Sequence, residues 1–442
     1  MMKSLRLAST ALVLAGLLTG CGQAASPVRP AMEKANAANL VAKGRSPVAT
    51  DGNLVKLLVD GPAIFDSMVE AISKAERSVQ IHAYQLGGET GMRMVNAMVE
   101  RHKAGVDCQV LIDPNLGGTP SIRKQIDQVL AILKANGIEH RLFNLKGMPK
   151  GPNWLSRLGL LDHSKTLVVD GKVAFAGGMN FYDDGAHNHD YMVRIEGPAA
   201  TRLGEMSNAD WVHSGGQDGT IKLEMAEPKG YSKIELAENS PAASNIRSLL
   251  LRHFHQAKTK IWIEVLFLDD DMIIDALVDA KQRGVDVRVI LDPLDFGNHV
   301  KELEKVPFDG IPNWAAVQDC LEAQIPVYWF TPQKEHQNLH AKISNVDDRF
   351  LLIGSANYTY RALDRNRETT LAVEAPYEAY KFSQTFLADE ADARRITSLS
   401  AFQRALAALF DRVKRGIYNA KIDAPTPAPE PNPAPQPAMA RK

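Results

Sequence analysis

Cysteine is almost missing from this chain: three residues in 442 cannot build a disulfide scaffold, so stability has to come from buried apolar surface. An excess of charge of one sign is missing too. Fifty-one Lys plus Arg stand against 52 Asp plus Glu, a formal charge of −1. Polyanion binding normally leaves a basic excess, so the balance argues against a nucleic-acid partner. Nor is there a hydrophobic run long enough to span a bilayer. The N-terminal one, Leu7 to Leu18, is 12 residues, against the roughly 20 a spanning helix needs. What is present, 45% hydrophobic and 23% charged residues, is the profile of an ordinary folded protein of two or three domains, with enough chain for a sizeable core.

The N-terminal run follows Lys3 and Arg6 and is followed by small residues, which predicts a secretory signal over 1–20. It ends Leu18-Thr19-Gly20-Cys21, which resembles the lipobox of bacterial lipoproteins. That resemblance implies acylation of Cys21 and an exported protein tethered to a membrane surface. Gly22 is not the aspartate associated with inner-membrane retention, so the outer membrane is favoured over the outer face of the cytoplasmic membrane. Without Lys3 and Arg6 the balance is 49 against 52, or −3. Residues 21–52 read as a flexible linker, and 423–442, with seven of the 24 prolines, as an extended, disordered tail.

The body between them repeats itself. GVDCQVLIDP at 105–114 returns 179 residues later as GVDVRVILDP at 284–293, with six of ten positions identical. Each copy is an apolar run entered through a glycine turn and reads as a buried strand. An amphipathic helix pattern precedes each (Met92 to His102, Ile273 to Gln282), and another apolar run precedes that (Val79 to Tyr84, Ile261 to Leu268). Strand, helix, strand predicts α/β architecture in two copies, 53–225 and 226–422, with the boundary between 215 and 245.

The chemistry recurs at nearly the same offset. His163, Lys165, Asp170, Gly177, Gly178 and Asn180 are matched 177 residues on by His340, Lys342, Asp347, Gly354, Ser355 and Asn357, so both copies read H-x-K-x4-D-x6-G-[GS]-x-N. A strand alternates its faces, so each His and Lys share a face, while each Asp, five positions beyond the Lys, points away and reads as structural or supporting. In-line displacement at phosphorus needs a nucleophile and an opposed proton donor. Each motif supplies one imidazole, so a complete site needs both. The two ammonium groups and the amides of Asn180 and Asn357 are suited to non-bridging oxygens, and no metal or other cofactor is called for.

These paired motifs resemble the phospholipase D superfamily over about residues 55–400. The resemblance implies two pseudo-symmetric α/β/α sandwich domains with mixed central sheets and an active site at their interface. Its catalytic set maps onto His163, Lys165, Asp170, His340, Lys342 and Asp347. It implies His163 as nucleophile and His340 as general acid, and places Asp190 and Glu368 where members keep a carboxylate to orient an imidazole. Ser344 and Asn345 depart from it as polar residues in an apolar strand, and Gly178 departs as the partner of Ser355. Arg194-Ile195-Glu196-Gly197-Pro198-Ala199 and the later Trp211 resemble the continuation found in cardiolipin synthases. The expected activity is therefore a phosphatidyltransferase or phosphodiesterase acting on membrane phospholipid, phosphatidylglycerol first, through a covalent phosphohistidine in a monomer. Alternatives are a hydrolase releasing phosphatidic acid, an exported nuclease or other phosphodiesterase, and a non-catalytic surface lipoprotein.

Other motifs read blandly. His187-Asn188-His189-Asp190 lacks the companions of a metal site, His253 and His255 point apart on a helix, and Cys108 and Cys320 read as core thiols. The stretch 151–161 before His163 reads either as ordinary packing or as a loop, Trp154 to Leu161, that dips into lipid.

Overall fold

A computed structural model describes residues 43–44, 47–115, 120–148, 160–219, 221–293, 313–335 and 337–418. The segment expected to be a signal sequence, Cys21, most of the expected linker, Trp154 with the rest of 149–159, and the proline-rich tail lie outside the described residues.

Both predicted repeats form, element for element. In the first, seven strands lie in the order Glu139–Leu142, Asp107–Ile112, Ser78–Ala83, Lys165–Val169, Val173–Gly177, Tyr191–Glu196, Val48–Val59. The first three are parallel and the rest antiparallel, so the sheet is mixed. The second repeats that order with Val327–Trp329, Asp286–Leu291, Lys260–Val265, Lys342–Val346, Phe350–Gly354, Glu368–Glu374 and Ser232–Asn239. Gly105 and Gly284 take left-handed φ of 92° and 88°, as a turn from helix into buried strand requires. The helix Gly88–Lys103 buries Gly91, Met94, Val95, Met98 and Val99, the spacing of one helical face. Asp270 caps Asp271–Gln282 by accepting from Met272 N and Ile273 N.

The sheets join edge to edge where Val48–Thr50 pairs with Ile234–Leu236, and a bulge at Gly52 swings the rest of that long strand into the first sheet. One core unites the repeats: Val193 and Ile195 from the first sheet, Ile343, Ile353 and Leu371 from the second, and Phe382 and Phe386 from the helix Pro376–Asp392. The described residues accordingly form one compact unit. The polar pair in the second strand is accommodated. Ser344 Oγ lies 2.5 Å from Tyr358 Oη, and Asn345 Nδ2 donates to Ser383 Oγ at 2.8 Å and Ala379 O at 3.0 Å. Cys108 and Cys320 are buried free thiols. Among the described residues no helix is long and apolar enough to cross a membrane.

Candidate active site

The strands Lys165–Val169 and Lys342–Val346 hold corresponding places, with Lys165 opposite Ala83 and Lys342 opposite Val265. Each histidine sits two residues before its strand, where the backbone bridges to the other repeat. His163 N donates to Arg367 O and His340 N to His189 O, both at 2.9 Å. Those bridges deliver the residue after each acceptor to the facing imidazole. His163 Nδ1 lies 3.1 Å from Glu368 Oε1, and His340 Nδ1 lies 2.7 Å from Asp190 Oδ2. The two acids picked out in the sequence thus orient the two imidazoles, each across the pseudo-twofold.

Both Nδ1 atoms are thus engaged by carboxylates. The two rings line one cavity of about 430 Å³ together with Asn180, Asn357, Tyr84 and Arg361. The Oδ1 atoms of Asn180 and Asn357 are buried without a hydrogen-bond partner among the described residues, so folding leaves each amide oxygen unengaged. Tyr84 packs against His163 at 5.0 Å between ring centroids, and Lys165 Nζ lies 5.1 Å from the same ring. Its counterpart beside His340 is Leu266, so the pseudo-symmetry is broken here.

Burial sets the electrostatics. It pushes Lys165 down to about 7 and Lys342 to about 8, while Asp190 and Glu368 pull both back up. Burial, with Lys165 and Lys342 beside it, holds His163 well below the ordinary imidazole range, and burial and Lys342 lower His340 to about 4. Both rings are therefore neutral near pH 7, with a lone pair available on each Nε2 when Nδ1 carries the proton. Burial pushes Glu368 up, while Lys165 and the hydroxyl of Ser355 favour its ionised form.

The difference between Gly178 and Ser355 has a steric cause. A Cβ on Gly178 would stand 2.2 Å from Asp190 Oδ1, so the shorter acid fits against bare backbone. Ser355 instead donates to the longer Glu368 at 2.5 Å.

One implication of the resemblance needs correction. Asp170 and Asp347 are not among the reacting groups. They follow the far ends of their strands at φ of 56° and 57°. Asp170 accepts from the backbone N of Glu76, Arg77 and Ser78, and Asp347 from Lys258, Thr259 and Lys260. They tie the start of each first parallel strand to the turn beyond each motif strand. They face away from the chemistry as alternation predicts, but through a left-handed turn.

Two site residues escaped the sequence reading. Asp113 Oδ2 accepts from Asp162 N, and Asp292 Oδ2 from Leu339 N, each at 2.7 Å. These acids close the duplicated strand and fix the backbone just before each histidine. The recurring Asp-Pro at the end of both copies was the available signal.

The family model described as cardiolipin synthase, phospholipase D-like domain, matches residues 68–211 and 250–390, one segment per repeat. A cardiolipin synthase of Clostridium perfringens is 26% identical over 377 residues, covering 80% of this chain and 74% of that protein. Cardiolipin synthase A of Pseudomonas entomophila is 28% identical over 368 residues, covering 80% and 72%. Among solved structures, phosphatidylserine synthase of Haemophilus influenzae shares the fold, with a TM-score of 0.62 at 13% identity over 82% of this chain and 93% of that one. With two matched segments, each carrying one intact histidine–lysine motif, the chain belongs to the phospholipase D-like family of cardiolipin synthase-type domains and is an enzyme of the phosphatidyltransferase or phosphodiesterase kind.

Proposed function

We propose that the chain is a cardiolipin synthase-like phosphatidyltransferase working through a covalent phosphohistidine. The observation that carries this is the pair of imidazoles lining one cavity, each held through Nδ1 by the other repeat's carboxylate. His163 Nε2 attacks the phosphorus of a phosphatidylglycerol in line. The bond to the glycerol head-group oxygen breaks, and His340 Nε2–H protonates that oxygen. A phosphodiester anion beside His340 favours its imidazolium, so His340 takes up from solvent the proton that the free enzyme lacks, while His163 stays neutral with its Nε2 lone pair free to attack. Lys165, Lys342, Asn180 and Asn357 hold the non-bridging oxygens. His340 then takes the proton from the hydroxyl of a second phosphatidylglycerol as it displaces His163. The products are cardiolipin and glycerol, and the ester energy is conserved without a nucleotide.

The exported, Cys21-anchored form belongs to this reading, since acylation would concentrate the enzyme at its substrate. Loss of label from fatty acid in Cys21→Ser tests it.

Vesicles of phosphatidylglycerol should yield cardiolipin and glycerol in excess over phosphatidic acid. Phosphatidic acid as the dominant product at every lipid density would make the enzyme a hydrolase. His340→Ala, given a phosphodiester with a good leaving group, should accumulate an acid-labile adduct on His163. An adduct on His340 in the reciprocal variant alone would reverse the roles.

A further inference from the structure

Two buried sockets of one design sit behind the orienting carboxylates. The residue before Glu368 is Arg367 and the residue before Asp190 is His189, so the pseudo-twofold makes them counterparts. Arg367 is fully buried and donates from Nε and Nη2 to Asp210 Oδ2 at 2.9 and 2.7 Å, with Glu238 at 3.2 Å. Asp210 belongs to the helix Pro198–His213, and the corresponding helix Pro376–Asp392 presents Asp389, whose Oδ2 lies 3.2 Å from His189 Nε2. Asp60 reaches His189 Nδ1 at 2.8 Å.

The sockets differ in the strand that faces them. Ser78–Ala83 offers His82, 3.6 Å from Asp210, whereas Lys260–Val265 offers Glu264, 3.6 Å from His189 Nε2. One socket therefore has a guanidinium built in. The other has a smaller, titratable ring and one more carboxylate. Glu264 is fully buried and its Oε1 has no hydrogen-bond partner among the described residues, although Tyr191 Oη, which lies 2.9 Å from His189 Nε2, donates to Glu264 Oε2 at 2.6 Å. Asp210 leaves no buried oxygen in that condition. An unpaired buried carboxylate oxygen is costly and calls for a cation.

We propose that His189 Nε2, Glu264 and Asp389 bind one divalent cation of the zinc or manganese class, in the place that the Arg367 guanidinium fills in the other repeat. The three donor atoms lie within 4.8 Å of one another. One imidazole and two carboxylates form a borderline-to-hard donor set that suits these ions. Asp60 on Nδ1 is the carboxylate that orients a ligating imidazole and fixes its tautomer. In the sequence His187 to Asp190 lacks a further histidine and the other companions of a metal site; folding instead brings Glu264 and Asp389 to His189.

The ion lies outside the chemistry, since none of its ligands lines the reaction cavity. It ties His189 of the first repeat to Glu264 and Asp389 of the second. Because His189 precedes Asp190 and its carbonyl accepts from His340 N, the ion also fixes the orientation of the second imidazole.

The test is metal analysis of the full chain without a polyhistidine tag, after gel filtration, with chelator-treated protein then titrated with ZnCl₂ or MnCl₂. About one equivalent per chain and a rise of several degrees in Tm on reloading are expected. His189→Arg should bind under about a tenth of an equivalent and lose the metal dependence of its Tm, because it supplies the cation as Arg367 does. Glu264→Gln, read by metal content alone, covers the case in which the arginine variant fails to fold. Under about a tenth of an equivalent in the unmodified protein with no Tm response to either metal would overturn the proposal, leaving an imidazolium as the cation. Equal uptake by the unmodified protein and both variants would overturn it as well, by placing the metal elsewhere.

Discussion

Glu368→Gln isolates what the crossed carboxylates do. The side chain is fully buried and the substitution keeps its volume, so the fold should survive. The hydrogen-bond pattern then decides the outcome. Ser355 Oγ accepts from Thr369 N at 3.0 Å, so its proton is directed at Glu368 Oε2, 2.5 Å away. A glutamine must answer that donor with its carbonyl oxygen, since the competing donor, Asn366 Nδ2, is at 3.4 Å. Its NH₂ then stands 3.1 Å from His163 Nδ1, where it competes with the contact from Nδ1 to the carbonyl oxygen at 3.2 Å, already taken by Ser355, and favours a ring that accepts. The ring proton moves to Nε2, the atom that should attack, and the nucleophile is lost to the wrong tautomer. Tautomer errors of this kind cost on the order of 10³- to 10⁴-fold in kcat, about 4–5.5 kcal/mol. The assay is turnover of a soluble phosphodiester, with circular dichroism as the check on folding. Ser355→Ala in the same chain removes the hydroxyl that dictates the amide's orientation, so the double variant should recover about tenfold over Glu368→Gln alone. Activity of Glu368→Gln within tenfold of the unmodified enzyme, or a double variant no better than the single one, would refute the reasoning.

Burial lowers Lys165 to about 7 and Lys342 to about 8, so the free enzyme loses ammonium charge as pH rises through that window. The pH profile of kcat/KM should fall on its alkaline side from there, while kcat, measured with a phosphate anion bound, should hold to higher pH; a kcat/KM flat to pH 9 would contradict this. Asp347→Ala should lower the denaturation free energy by about 2–3 kcal/mol, by freeing three backbone donors, yet leave kcat of the folded fraction within a few fold. Loss of turnover in step with His340→Ala would restore that aspartate to the catalytic set. Gly178→Ala should displace the Asp190 carboxylate, which a Cβ would meet at 2.2 Å, and lower kcat by one to two orders of magnitude with secondary structure retained; circular dichroism and turnover together check it. Asp292→Ala removes the acceptor for Leu339 N and should cut kcat about tenfold or more with little change in KM, read by steady-state kinetics.

The sequence by itself determined the duplication, the strand and helix character of its parts, the shared face of each His and Lys, and the membership of Asp190 and Glu368 in the site. The first three rest on short-range regularities, namely alternation along a strand, helical periodicity and a motif restated at fixed spacing, and the last rests on the family resemblance. Only the tertiary structure decided that Glu368 belongs to His163 and Asp190 to His340, pairs separated by 205 and 150 residues. The pairing comes from two sheets sharing one core and from bridges between the histidine segment of one repeat and the acid-bearing strand of the other, and no local pattern encodes it. The same holds for Asp170 and Asp347, whose left-handed turns carry them away from the chemistry that the motif places them in. It holds for the Asp113 and Asp292 anchors, which looked like strand ends. It holds most for His189, Glu264 and Asp389, which sit on three elements far apart in the chain and meet only because the His189 segment of the first repeat packs against the second.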